Sequence, residues 1–176
     1  MSDGAAEIPA WVDGRLCPVE KLEVHRRGLC HPAISVFVMR DGETLLQRRA
    51  ASKYHTPGLW TNACCTHPHW GEDLATAATR RLGEELGITD LPLSPRGEVE
   101  YRADVGGGLT EHERVALFTA EAPEALPLSP DPAEVGETRW CPLPRLVEEI
   151  AEAPGRFTPW LRIYLAEHRA TIFEPA

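Results

Sequence analysis

The strongest hydrophobic run lies at residues 33–40, AISVFVMR, and it is closed by Asp41-Gly42, a hairpin turn pair. It predicts a buried strand, with TLLQRR at 44–49 as its return. Residues 50–71 then lose all periodicity, with Pro57-Gly58, Pro68 and Gly71 as punctuation, and read as one long irregular segment. Segments of that length inside a compact domain are functional or disordered. This one carries Trp60, Asn62, Cys64, Cys65, His67, His69 and Trp70, which favours an ordered, functional loop. Leu74, Ala77, Ala78, Leu82 and Leu86 recur at helical spacing and predict a helix over 73–86, capped by Asp73 and stopped by Gly87. GEVEYRAD at 97–104 alternates as a strand does, Gly106-Gly107-Gly108 makes a turn, and EHERVALFTA at 111–120 returns. A Pro-rich loop at 123–132, a short strand at 137–141 and two helices near 143–152 and 159–171, each opened by a proline, complete the chain. The order predicts an α/β (α+β) fold, a mixed sheet sandwiched between helices in a single domain.

Length agrees, since 176 residues suffice for one core and not for two ordinary domains. The 18 Lys and Arg against 27 Asp and Glu give a net charge of −9, which argues against a nucleic-acid partner. It does not exclude a small anionic substrate, which needs only a few local cations. No apolar run approaches the ~20 residues that cross a bilayer, so no membrane role is expected. The start MSDGAAEIPAWVDG lacks the order of a signal peptide, and a cytoplasmic location is the expectation. Cys17, Cys30, Cys64, Cys65 and Cys141 are odd in number and irregularly spaced, which points to reduced thiols rather than a disulfide framework.

Several constellations have chemical potential. Glu111 and Glu113 sit two apart on a predicted strand, so both carboxylates face one way. With His25, His31 and His67 they suit a divalent metal bound by more than four ligands, although each also reads as surface histidine and solvated strand edge. Glu84-Glu85 suit Mg²⁺, or equally form ordinary helix-face pairs with Arg80 and Arg81. Cys65 lies where metal or cationic neighbours would lower its pKa to a thiolate, while one of the adjacent cysteines reads as a small buried hydrophobe. Lys21, Arg48, Arg49, Lys53 and Arg81 are candidate anion contacts or plain surface charge, and strand alternation lets only one of Arg48 and Arg49 reach a pocket. Trp160 begins a predicted helix and would pack, or offer its ring face to a cation.

In chain order, RRAASKYHTPG (Arg48–Gly58), GLWTNACCTHP (Gly58–Pro68), the Thr79–Leu82 run into EELG (Glu84–Gly87), EYRAD (Glu100–Asp104), EHERV (Glu111–Val115) and FTPW (Phe157–Trp160) resemble type I isopentenyl-diphosphate isomerases of the Nudix superfamily. The likeness runs from about Lys21 to Trp160. It implies a Nudix-like domain over 1–176, with residues 1–32 closing the active site, acting on a small-molecule substrate as a monomer or weak dimer. The implied activity is a 1,3-proton shift between isopentenyl and dimethylallyl diphosphate through a tertiary carbocation. Position by position, the resemblance implies catalytic roles for Cys65, Glu113 and Tyr101. It implies His25, His31, His67, Glu111 and Glu113 as ligands of a divalent metal (Mn²⁺, Zn²⁺ or Mg²⁺), and Glu85 as holder of a substrate-linked Mg²⁺. Lys21, Arg49, Lys53 and Arg81 fall on diphosphate contacts and Trp160 on the aromatic beside the isoprenyl tail.

The hydrolase box G-x5-E-x7-R-E-U-x-E-E-x-G-U, with U an apolar residue, is met by Glu72, Arg80, Leu82, Glu84, Glu85, Gly87 and Ile88. Thr66 replaces its first Gly and Arg81 its second Glu, an acid a hydrolase uses for metal and water. That loss favours the isomerase branch over a Nudix hydrolase of nucleoside diphosphate derivatives. A non-catalytic metal-binding module is a third reading, and Cys65, Tyr101 and Glu113 together argue against it.

Overall fold

A computed structural model describes residues 6–174. Residues 1–5 of the proposed closing segment, and 175–176, lie outside the described residues. The chain opens with β1 (Glu7–Val12) and β2 (Arg15–Glu20), an antiparallel hairpin, followed by α1 (Lys21–Arg27). None of these three was anticipated, because each is too short and too mixed in polarity to show a period. The Glu20 side chain caps α1 and Gly28 stops it at φ 61°.

The main sheet holds β3 (Cys30–Arg40), β4 (Glu43–Arg49), β5 (Trp60–Asn62), β6 (Cys64–Thr66), β7 (Ser94–Gly106), β8 (Leu109–Glu121) and β9 (Val135–Pro142). β3 and β8 run parallel along nearly their whole length, and β7 lies antiparallel to β8. β3 and β4 pair only at Met39–Thr44 and Arg40–Glu43 and then diverge. Beyond that point β6 continues on β3, while β5 and β9 continue on β4. The segment expected to be irregular therefore contains two three-residue strands, with Ala63 crossing between them. Their cause is tertiary: each satisfies a strand edge that the splay leaves open.

Side-chain alternation splits the core. Ile34, Val36 and Val38 face one way with Leu45, Cys64, Phe118 and α2 (Leu74–Leu86). Ala33, Phe37, Leu46, Leu117 and the C-terminal helices lie on the other side. Those helices are α3 (Leu143–Glu152), α4 (Pro159–Glu167) and α5 (Arg169–Phe173). The helix expected at 159–171 is thus two, because His168 leaves helical geometry at φ −126°, ψ 15°. No helix among the described residues is long and apolar enough to cross a membrane.

Gly87 ends α2 at φ 68°, in the left-handed region. The Pro-rich loop then closes over the helix end: Ser129 N–H donates to the Leu86 carbonyl at 2.8 Å and Asp131 N–H to that of Glu85 at 2.9 Å. A Cβ on Gly87 would meet Ser129 Cβ at 2.8 Å and its backbone N and O at 3.1 Å. Gly87→Ala is therefore expected to cost on the order of 2–4 kcal/mol, from left-handed strain plus overpacking. Denaturant unfolding at unchanged slope checks this, and a loss under about 1 kcal/mol would refute the close approach.

Candidate active site

A polar pocket lies where β3 and β4 splay, so it collects side chains from both faces of the sheet. From α1, Lys21 and His25 are one turn apart on one helix face; Lys21 lines the pocket and His25 is fully buried. β3 supplies His31 and Ser35, and β8 supplies Glu111 and Glu113, whose equal parity puts them on one face. β7 places Tyr101 directly opposite Glu113. Cys65, His67, α2 (Arg81, Glu85), β4 (Gln47, Arg49), the loop residues Lys53, His55 and Glu134, and Trp160 of α4 complete it.

At its floor, one ligand atom each from His25, His31, His67 and Glu113 lies within 4.8 Å of the others. His25 Nδ1 sits 2.6 Å from the Lys21 carbonyl, and His31 Nδ1 2.8 Å from the Leu29 carbonyl. Each carbonyl fixes the ring proton on Nδ1 and leaves a lone pair on Nε2. His25 Nε2 is buried without a hydrogen-bond partner, and His31 Nε2 faces His67 Nε2 at 3.1 Å and Glu113 Oε1 at 3.4 Å. His67 has one proton at most to offer, so acceptors outnumber donors. Burial also favours the neutral rings of His25, lowered to about 4, and His67, lowered to about 3. Burial pushes the Glu113 carboxyl up, but the adjoining imidazoles outweigh it and hold the group well below the usual range. Converging lone pairs beside a carboxylate, with backbone carbonyls behind the rings, are the donor set of a divalent metal.

Glu111 does not join that group; its carboxylate groups with His25 and His55 instead. The Tyr101 hydroxyl lies 2.8 Å from Glu111 Oε2 and 2.7 Å from Glu113 Oε2, so one proton serves two carboxylates. Burial, and then the charge of Glu113, raise Glu111 well above the carboxylate range.

Cys65 corrects an expectation. Burial pushes its thiol up to about 12, so it is not a thiolate. Its neighbours are uncharged: Sγ donates to Asn62 Oδ1 at 3.0 Å and lies 3.1 Å from Ser35 Oγ. Ser35 Oγ in turn meets Tyr164 Oη at 2.9 Å. Cys64 points the opposite way, fully buried among Val36, Leu82 and Phe118. All five cysteines are free.

Two of the pocket cations, Lys53 and Arg81, are held by acids. Lys53 Nζ lies 2.7 Å from Glu134 Oε2, while Arg81 meets Glu85 Oε1 at 2.6 Å, Glu84 at 2.9 Å and Glu134 at 3.3 Å. Gln47 donates to Glu85 Oε2 at 2.7 Å. Arg49 turns into the pocket, its guanidinium 5.5 Å from the Trp160 ring centre, while Arg48 sits outside beside Glu137 at 3.7 Å. Trp160 Nε1 donates to Thr61 Oγ1 at 2.8 Å, which fixes its ring.

The pocket brings together Lys21, Arg49, Lys53, Cys65, His67, Arg81, Glu85, Tyr101, Glu111, Glu113 and Trp160, with His25 and His31 at its floor, and leaves out Arg48, Cys64 and Glu84. Sequence reasoning missed His55, Gln47, Glu134 and the Ser35 beside Cys65. Glu134 and Gln47 act as partners of other side chains, a relation with no linear signal. His55 stood within the matched run Arg48–Gly58, and its proximity in space to His25 and Glu111 was the missing cue.

The NUDIX domain family model matches residues 30–161. An isopentenyl-diphosphate Delta-isomerase of Cereibacter sphaeroides (strain ATCC 17029 / ATH 2.4.9) is 67% identical over 94% of both chains. The Rhodobacter capsulatus protein of the same name is 62% identical over 96% of both. Among solved structures, one from Deinococcus radiodurans superposes with TM-score 0.73 at 14% identity, covering 91% of this chain and 97% of that one. A MutT NUDIX hydrolase from Burkholderia pseudomallei gives 0.61 at 24% identity, covering 79% and 98%. These two likenesses speak for the fold alone.

Proposed function

The chain belongs to the NUDIX family and, within it, to the isopentenyl-diphosphate Delta-isomerases, and on that premise we propose that this pocket interconverts isopentenyl and dimethylallyl diphosphate by a metal-dependent 1,3-proton shift. The observation that carries the metal dependence is the buried convergence of His25, His31, His67 and Glu113. Glu111 stands outside that group but shares His25 with it, and a small shift of its carboxylate would make it a further ligand. A divalent ion there, Mn²⁺, Zn²⁺ or Mg²⁺, supplies positive charge that makes the adjoining proton-bearing groups more acidic.

An unactivated alkene is a weak base, so its protonation needs an acidic group held close and a dry cavity. Glu113 and Tyr101 share a proton in hydrogen-bond contact, and they form one proton-handling group. Cys65, a neutral thiol, forms the other; the Ser35 and Asn62 contacts hold its sulfur in place. The reaction runs both ways, so each group gives and takes. A proton added at the terminal alkene carbon leaves a tertiary cation, and one lost from the allylic carbon closes the new double bond. The Trp160 ring stabilises that cation through its face.

Lys21, Arg49, Lys53 and Arg81 receive the diphosphate, displacing Glu134 and Glu85 from two of them. Glu85 so freed offers a carboxylate to Mg²⁺ carried by the diphosphate, a usual one-carboxylate arrangement. Residues 1–32 and the 50–71 loop close over the site and exclude water, which would trap the cation as an alcohol. Arg81 stands where a hydrolase carries an acid for metal and water, and that missing carboxylate counts against hydrolysis. We place this monomer or weak dimer in the cytoplasm, in keeping with its free thiols.

Incubation of purified protein with isopentenyl diphosphate and Mg²⁺ is expected to yield the dimethylallyl isomer without phosphate release. Prior chelation should abolish the turnover, and re-adding divalent metal should restore it. Phosphate release, or full turnover by metal-free protein, would overturn the reading.

A further inference from the structure

His55 lies outside the ligand set that the family likeness implies, yet it borders the metal centre. Its ring is buried, 5.6 Å from that of His25 and 6.0 Å from that of Trp160. Its Nε2 faces Glu111 Oε1 at 3.6 Å, and with His25 and Glu111 it forms a second group of possible ligand atoms. That separation is about 0.4 Å beyond hydrogen-bond range, within the reach of small side-chain motion.

The backbone beside it is strained. Thr56 has φ 47°, a left-handed conformation that a β-branched residue rarely adopts, directly before Pro57. Such strain persists where surrounding contacts hold it. Here the Thr56 hydroxyl meets His55 Nδ1 at 3.1 Å, and Arg49 Nη2 donates to the His55 carbonyl at 3.3 Å. With the hydroxyl donating to Nδ1, the ring proton sits on Nε2, on the side of Glu111. Tyr101 already holds the other oxygen of that carboxylate at 2.8 Å.

We propose that His55 is a positioning residue that orients Glu111 from the side opposite Tyr101, and so sets the affinity of the centre for its metal. The proposal rests on the reading of the His/Glu cluster as a metal centre. The strained Thr56 serves it by fixing the ring and its tautomer.

The test is Co²⁺ affinity of chelator-stripped full-length protein, by competition with a chromophoric chelator, with the Co²⁺ absorption spectrum recorded. His55→Ala should bind Co²⁺ about 10–100-fold more weakly, the usual effect of losing a group behind a ligand. His55→Gln keeps an N–H donor and should recover most of the affinity. Both should keep the wild-type band positions and intensity, since no ligand is removed. Unchanged affinity in His55→Ala overturns the proposal. So does equal loss in both variants with an altered spectrum, which would make His55 a ligand itself. His31→Ala separates the two layers of the argument: it should abolish binding whatever His55 does. Undiminished Co²⁺ binding in His31→Ala, or none in the wild type, would instead remove the metal-centre reading and the His55 role with it.

Discussion

Glu113→Gln is expected to reduce isomerisation by about 10⁴-fold or to below detection, at the upper end of what one proton-transfer group contributes. The expectation is large because two functions meet in one carboxylate. Oε1 faces His67 at 3.0 Å and His31 at 3.4 Å, where the metal charge must be balanced. Oε2 faces the Tyr101 hydroxyl at 2.7 Å, where the proton is held. An amide keeps the shape and can still accept from Tyr101, so the fold should persist with a modest shift in melting temperature. It cannot carry the charge or bind a proton in the working range. The measurement is product analysis at saturating substrate, with metal content and thermal unfolding of the same preparation. Activity within tenfold of the parent, in a folded and metal-loaded variant, would refute the role of Glu113.

Cys65→Ala comes next, with an expected fall in turnover of about 10²–10⁴-fold. The sulfur touches Asn62 and Ser35 rather than any of the four pocket cations, so KM for the diphosphate should change little. The neighbouring residue is the control. Cys64→Ala removes a thiol of similar size, fully buried in the apolar layer under α2, and should cost about 1 kcal/mol of stability while leaving turnover intact. Equal kinetic losses at both positions would mean that the 64–65 strand matters only as structure. A raised pKa places the resting Cys65 group on the thiol side at neutral pH, so turnover should not require its deprotonation beforehand.

The sequence by itself determined most of the scaffold. Strand periodicity at 33–40 and 111–120 and the capped helix at 73–86 each stand within a few residues of β3, β8 and α2, because all three bury a continuous face. Through the motif runs that carry the family likeness it also named most of the side chains that line the pocket, though not His55, Gln47 or Glu134. Parity alone put Glu111 and Glu113 on one face and separated Arg48 from Arg49.

The tertiary structure decided what no linear pattern encodes. β5 and β6 exist only because the splay of β3 from β4 leaves edges to be paired. β1, β2 and α1 are short elements whose stability comes from packing rather than period. The protonation of Cys65 depended on which neighbours fold around it, and these turned out to be hydroxyls and an amide, not cations. Glu111 was set apart from the main ligand group, and His55, 56 positions away in sequence, was brought within 3.6 Å of it. Ionisation and ligand geometry follow from burial and from groups within a few ångströms. Those quantities belong to the folded arrangement, whereas the period of a strand or helix is already written in the order of residues.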